Sequence, residues 1–226
     1  MLRSADELLE TADPAWPLLL REIAAAGSSA RLLPGGGVAG RRELEALQVT
    51  ARSSLGACAY HMGGLLIDAG WLCVLGCGHE DGVWSITMAT GHAQFGHREG
   101  SPEGLVVGVD VLGGLFAVNG GFLSAVPVGR VAYFGPDTLR WEDTGGGHGA
   151  WMESMLDAAF RSEFYRDLRW KGWEQEVAAL RPGTGIAIYP PLYTRESRPL
   201  EATRRTVVPL GELVACSLDV GRQLDD

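Results

Sequence analysis

The chain has 226 residues, 46% hydrophobic and 21% charged, which is enough for one large domain with a real core. Its net charge is −9, and its basic residues are scattered, with Arg41-Arg42 and Arg204-Arg205 as the adjacent pairs. That balance argues against a general nucleic-acid binder, because neutralising phosphates requires clustered Lys and Arg; an acidic surface suits a basic partner, although solubility alone is the commoner reason for it.

Lys171 is the only lysine and Asn119 the only asparagine, the residue usage of a GC-rich bacterial genome. The first ten residues carry acids where a signal peptide has its apolar stretch. The apolar runs elsewhere are broken by Gly or Asp and fall short of the ~20 residues that cross a bilayer. These features predict a cytoplasmic protein without a membrane span. Cys58, Cys73, Cys77 and Cys216 are then expected to be reduced and mostly buried.

Ser4 with Glu7 forms a capping-box pattern and predicts a short helix to about Thr11. A second helix begins at Pro14 or Pro17, carries Leu18, Leu19, Ile23 and Ala26 on one side, and stops at Gly27. Leu32-Leu33-Pro34 and the glycines after it read as a loop, followed by helices over Arg41–Val49 and from Ser54 to about His61. The pattern then changes. Leu65–Ile67, Trp71–Leu75, Val83–Met88, Leu105–Val111, Leu115–Val118 and Val128–Phe134 are β-type runs, and the polar stretch Ala89–Pro102 reads as a loop. Leu112-Gly113-Gly114 and Asn119-Gly120-Gly121 are tight-turn chemistry, and strands joined by short turns pair antiparallel as a meander.

Gly135-Pro136-Asp137 turns into Leu139–Glu142, where apolar and charged residues alternate with a strand's period of two. That period sends Trp141 the same way as Leu139 and predicts a buried ring with Trp151 as neighbour. Gly145, Gly146 and Gly147 then cross into a helix with the stripe Trp151, Met155, Ala159. Further helical stretches are expected around Phe164–Trp170 and Trp173–Leu180. Ile186–Tyr189, Thr206–Val208 and Leu213–Cys216 suggest a small β appendage.

Four patterns carry candidate chemistry. Gly35, Gly37 and Gly40 fit G-x-G-x-x-G before a helix, but no acid lies between Glu45 and Asp68, so a flexible glycine loop is the better reading than dinucleotide binding. Cys73, Cys77 and His79, with His61 or Cys58, supply zinc-type ligands without a C-x-x-C knuckle, so no metal is expected. His92 and His97 read as solvated loop histidines. Asp137, Glu142, Asp143 and His148 form the one dense titratable set beside aromatics; such a set does acid–base work when burial separates its pKa values, and otherwise serves turns and helix entry. No G-x-S-x-G elbow is present.

Gly63–Trp71, Asp110–Gly121, Tyr133–Asp143 and Phe164–Trp173 are four ordered blocks that resemble an uncharacterised bacterial family, domain of unknown function twenty-six twenty-five. That resemblance implies no catalytic residue set and no cofactor. The order of a D-x-x-G-G-x-F strand pair, a strand, P-D-T-x-x-W and a helix is more distantly similar to the SUKH superfamily. That second resemblance implies an α+β fold and, for many members, immunity proteins that bind and neutralise toxins.

The expected architecture is one α+β domain over residues 1–182, SUKH-like, with a mainly antiparallel sheet over about 65–141 and helices over about 149–180, and a small β extension over residues 183–226 packed on it. Trp71, Val109, Phe116, Val131, Phe134, Trp151, Met155 and Trp173 are expected in the core. The expected function is a non-catalytic protein-binding module, with immunity against a basic toxin domain as its most concrete form and Trp141 and Glu142 as candidate partner contacts. The alternative is a small hydrolase or transferase using Asp137, Glu142, Asp143 and His148.

Overall fold

The reciprocal bonds of a capping box start the fold: Glu7 N–H donates to Ser4 Oγ, and Ser4 N–H donates to the Glu7 carboxylate, opening helix α1 (Ala5–Leu9). The computed structural model describes residues 2–98 and 101–225. Pro17 sits in the first turn of α2 (Trp16–Ala25), where its missing N–H leaves no helical bond unmade, and Leu19 and Ile23 bury one face. The expected loop at Leu32-Leu33-Pro34 is instead strand β1 (Ala30–Pro34). Pro34 is compatible with it because it ends the strand at a register shift, where no ladder donor is needed. Helices α3 (Gly37–Leu47) and α4 (Ser54–His61) follow, the latter capped by Ser53.

The sheet strands are β2 (Met62–Ile67), β3 (Leu72–Leu75), and, after an excursion, β8 (Gly104–Asp110), β9 (Leu115–Asn119), β10 (Arg130–Phe134) and β11 (Trp141–Gly147). The excursion contains β4 (Cys77–His79), β5 (Val83–Ser85), α5 (Ile86–Ala93), β6 (His97–Arg98) and β7 (Ser101–Pro102). Two expectations change here. The run Val83–Met88 leaves strand at Ser85, whose hydroxyl accepts from Met88 N–H and caps α5, so that helix occupies the start of the expected Ala89–Pro102 loop.

The sheet has seven strands in the order β1-β2-β3-β8-β9-β10-β11, and each neighbouring pair is antiparallel. It is the expected α+β meander, extended at one edge by β1. Directly paired residues point to the same face. One face carries the row Arg31, Leu66, Cys73, Val109, Leu115, Phe134, Trp141. The other carries Leu32, Leu65, Val74, Gly108, Phe116, Tyr133, Glu142.

On the Phe116 face lie α6 (His148–Leu156) and α7 (Ala158–Phe164), with the rings of Trp151 and Phe164 at 5.1 and 5.7 Å from Phe116. Gly108 is required there, since a Cβ would press on the Trp151 ring at about 2.9 Å. α7 begins earlier than expected because Asp157 caps it, accepting from Phe160 N–H, and it ends at Phe164. Trp170 therefore lies in the turns before α8 (Trp173–Ala178). Gly145–Gly147, expected as a crossing, finish β11.

The C-terminal part holds β12 (Thr184–Tyr189), β13 (Arg204–Pro209) and α9 (Leu210–Asp225). Reading Leu213–Cys216 as β is corrected: Leu210, Val214 and Leu218 are buried at helical spacing, and the chain packs that stripe, together with Gly221, on the Phe134 face. β12 is joined to the main sheet through Ile186 N–H, which donates to Val111 O at 2.8 Å. The expected core residues are buried except Trp173, which is half-buried over the end of the sheet.

Candidate functional site

The titratable set picked out in the sequence does not converge. Asp137 is half-buried in the turn after β10, Glu142 is exposed on β11, and Asp143 is exposed and held by Gly145 N–H and Arg130 at 2.8 Å each. Those two contacts, the backbone bond first, keep the Asp143 carboxyl below the usual range. His148 is buried at the start of α6, and burial pushes its imidazole down to about 4, so it is neutral. Its Nδ1 lies 2.9 Å from Ser54 Oγ, a pairing that sequence spacing gave no sign of. Among the described residues this is a hydroxyl–imidazole contact without a catalytic third member: Nε2 has no partner there, and so weak a base is poorly matched to activating a hydroxyl at neutral pH.

The blocks that carry the family resemblance meet in pairs. Gly63–Trp71 and Phe164–Trp173 build an aromatic box around an ion cluster. Asp68, at φ 50° in the turn between β2 and β3, accepts from Arg161 Nε at 3.0 Å and Nη2 at 2.8 Å, and from Arg169 Nη2 at 2.6 Å. Arg161 is 1% exposed and also donates to Met155 O. The Arg169 guanidinium lies over Trp173, Trp71 and Tyr165, at 4.1, 5.0 and 5.2 Å from the ring centres. Burial alone raises the Asp68 pKa; the two guanidinium groups outweigh it and leave the carboxyl below its ordinary value. Trp71 Nε1, Tyr165 Oη and Arg169 Nε are buried there without a partner among the described residues.

Asp110–Gly121 and Tyr133–Asp143 meet at a buried carboxyl. Asp110 Oδ1 accepts from Leu112 and Gly114 N–H, both at 2.9 Å, and Oδ2 accepts from Tyr133 Oη at 2.7 Å. Burial lifts Asp110 to about 6 in spite of those donors, and lifts the Tyr133 phenol well above its usual value. The D-x-x-G-G pattern is thus the side-chain closure of a tight turn. Buried Asp110 and half-buried Asp68 are held by donors that build the fold, and so is buried Glu43, which accepts from Thr87 N–H at 2.6 Å and Thr87 Oγ1 at 2.9 Å.

Trp141 is half-buried, with ring contacts to Phe122, Phe134 and Phe95 at 5.1, 5.4 and 5.8 Å. Its expected neighbour Trp151 lies across the sheet, because Trp141 belongs to the Phe134 row and Trp151 packs on Phe116. Leu139 does share the Trp141 side, but at φ 54° it belongs to a turn and not to a strand. Trp141, Phe95, Phe122, Leu218 and Arg222 line an open groove of about 430 Å³. Among the described residues the adjoining β11 has a sheet neighbour on one side only, so its outer edge is unpaired in the sheet.

The remaining candidates are structural. Strand β1 precedes the Gly35-Gly36-Gly37 loop, but β1 and β2 are antiparallel, and Gly40 packs against the Tyr60 backbone between α3 and α4. A dinucleotide site needs a parallel βαβ unit. Burial pushes the Cys58 and Cys73 thiols up to about 12. Among the described residues no group of three His, Cys, Asp or Glu side chains is placed to hold a metal ion. His92 is not a solvated loop residue but stacks on Trp84 at 4.5 Å, while His97 is exposed.

The chain matches the family described as "Protein of unknown function DUF2625" over residues 5–213, and it belongs to that family. It is 34% identical to the uncharacterized protein YbfG of Escherichia coli (strain K12), over 94% of each chain. It is 28% identical to an uncharacterized protein of Haemophilus influenzae Rd, covering 84% of this chain and 82% of the relative. No solved structure matches the chain.

Proposed function

We propose that this DUF2625 member is a non-catalytic protein-binding module of the cytoplasm, and that its partner is a basic domain such as a toxin that it neutralises. The observation that carries this reading is the outer edge of β11, where half-buried Trp141 lines an open groove on one face of the sheet and Glu142 is exposed on the other. A partner strand can extend the sheet there through main-chain bonds, while the groove receives a side chain. A partly covered aromatic ring is a common anchor of such a contact. The net charge of −9 favours encounter with a basic partner. The covered acids support a non-catalytic reading, since Asp68, Asp110 and Glu43 are held by structural donors. Among the described residues no helix is long and apolar enough to cross a membrane.

The test is co-purification from the native host with the wild-type chain, Glu142→Lys and a β11-edge variant, Asp143→Pro. The reading expects one basic protein retained by the wild type and lost by both variants at unchanged folded content. Retention of the same protein by all three, or of none by the wild type at native concentration, overturns it.

A further inference from the structure

At the opposite edge of the sheet from β11, the register that aligns Arg31, Leu66, Cys73 and Val109 on one face also builds the floor of a second cleft. Val177 and Leu180, from α8 and the connection after it, form the facing wall. The cleft is partly open to solvent and holds about 120 Å³. Two arginines line it: Arg31 at the floor's β1 end and Arg181 before β12. Both are exposed, and neither guanidinium has an ion pair or hydrogen bond within the described residues. The one acid on the wall, Asp110, has its oxygens occupied by Leu112, Gly114 and Tyr133.

We propose that this cleft binds a small carboxylate with a short apolar body. An apolar floor and wall favour a body that releases water when it enters. Two uncompensated guanidinium groups favour a planar anion, which accepts paired N–H donors, and disfavour a cation. The small cleft favours a short body. The site lies on other strands than the β11 groove, so it stands or falls separately from partner binding.

Calorimetric titration of the full chain with hexanoate, hexanol and hexylamine tests the assignment. Hexanoate is expected to saturate one site, with hexanol at least about ten-fold weaker and hexylamine not saturating. Combining Arg31→Gln with Arg181→Gln should reduce hexanoate to the level of hexanol. Leu66→Trp, which fills the floor at a half-buried position, should abolish binding of all three; Cys73→Leu serves the same purpose should that variant not fold. The proposal is overturned by absence of hexanoate saturation, by equal binding of hexylamine, or by hexanoate affinity that survives the paired arginine substitutions.

Discussion

Tyr133 Oη donates a 2.7 Å hydrogen bond to Asp110 Oδ2, joining two buried groups that lie 23 residues apart in sequence on strands one removed from each other. The carboxyl is raised from 3.8 to about 6. An acid whose folded pKa exceeds its unfolded one favours the folded state at low pH, so this contribution declines as pH rises from about 4 to 6. His148 works the other way. Its folded pKa is lowered from 6.5 to about 4, so its contribution is complete above 6.5 and is lost as pH falls through that window. Each spans about 3 kcal/mol and the two oppose each other. Asp110→Asn should therefore make stability rise more steeply between pH 4 and 6, and His148→Gln should make it fall. Urea unfolding of the three chains at stepped pH measures both slopes, and parallel profiles would refute the pairing.

Gly114 sits against that contact. A Cβ there would overlap Asp110 Oδ2 and Tyr133 Oη, so Gly114→Ala should cost at least about 2 kcal/mol. Gly91, exposed in α5 with nothing near its Cβ position, is the control: Gly91→Ala should gain about 0.5–1 kcal/mol. Thermal melts of both variants should move in opposite directions.

Removing Asp68 leaves two guanidinium groups, one fully buried, without their carboxylate. Asp68→Ala should cost about 3–5 kcal/mol. Asp143→Ala, which breaks the exposed contact with Arg130, should leave the melting temperature near the wild-type value. Similar losses from the two would contradict the weight placed on burial.

Trp141→Ala removes a half-buried ring from the Phe95, Phe122 and Phe134 cluster. Because the ring is only partly covered, the loss should be about 1–3 kcal/mol, below the range for a core tryptophan. Denaturant midpoints decide it, and a loss above 4 kcal/mol would place the ring fully in the core.

Much of the fold was legible in local chemistry. Ser4 with Glu7, the Asp110–Gly114 turn and the Asn119-Gly120-Gly121 connection specify a helix start and a meander through bonds made within a few residues. The misread elements share a cause. Leu32-Leu33-Pro34 is too short to announce a strand without its partner β2, and Leu213–Cys216 is apolar enough for either structure until the wider stripe of α9 meets Phe134. Short apolar runs are ambiguous in this way because the deciding interaction lies outside them.

Candidate chemistry was legible as residue types but not as geometry. The set Asp137, Glu142, Asp143, His148 lies close together in sequence, yet turn and strand geometry disperse it into solvent, an Arg130 contact and a buried imidazole. Conversely, Asp68 meets Arg161 and Arg169 across 93 and 101 residues, and Arg31 reaches the Val109 row through strand register. The sequence by itself determined the α+β class, the turns and most of the core, because propensity, capping and periodicity act over short spans. Only the tertiary structure decided which charges are buried, which edge is open and which arginines face a cleft, because those depend on contacts between residues far apart along the chain.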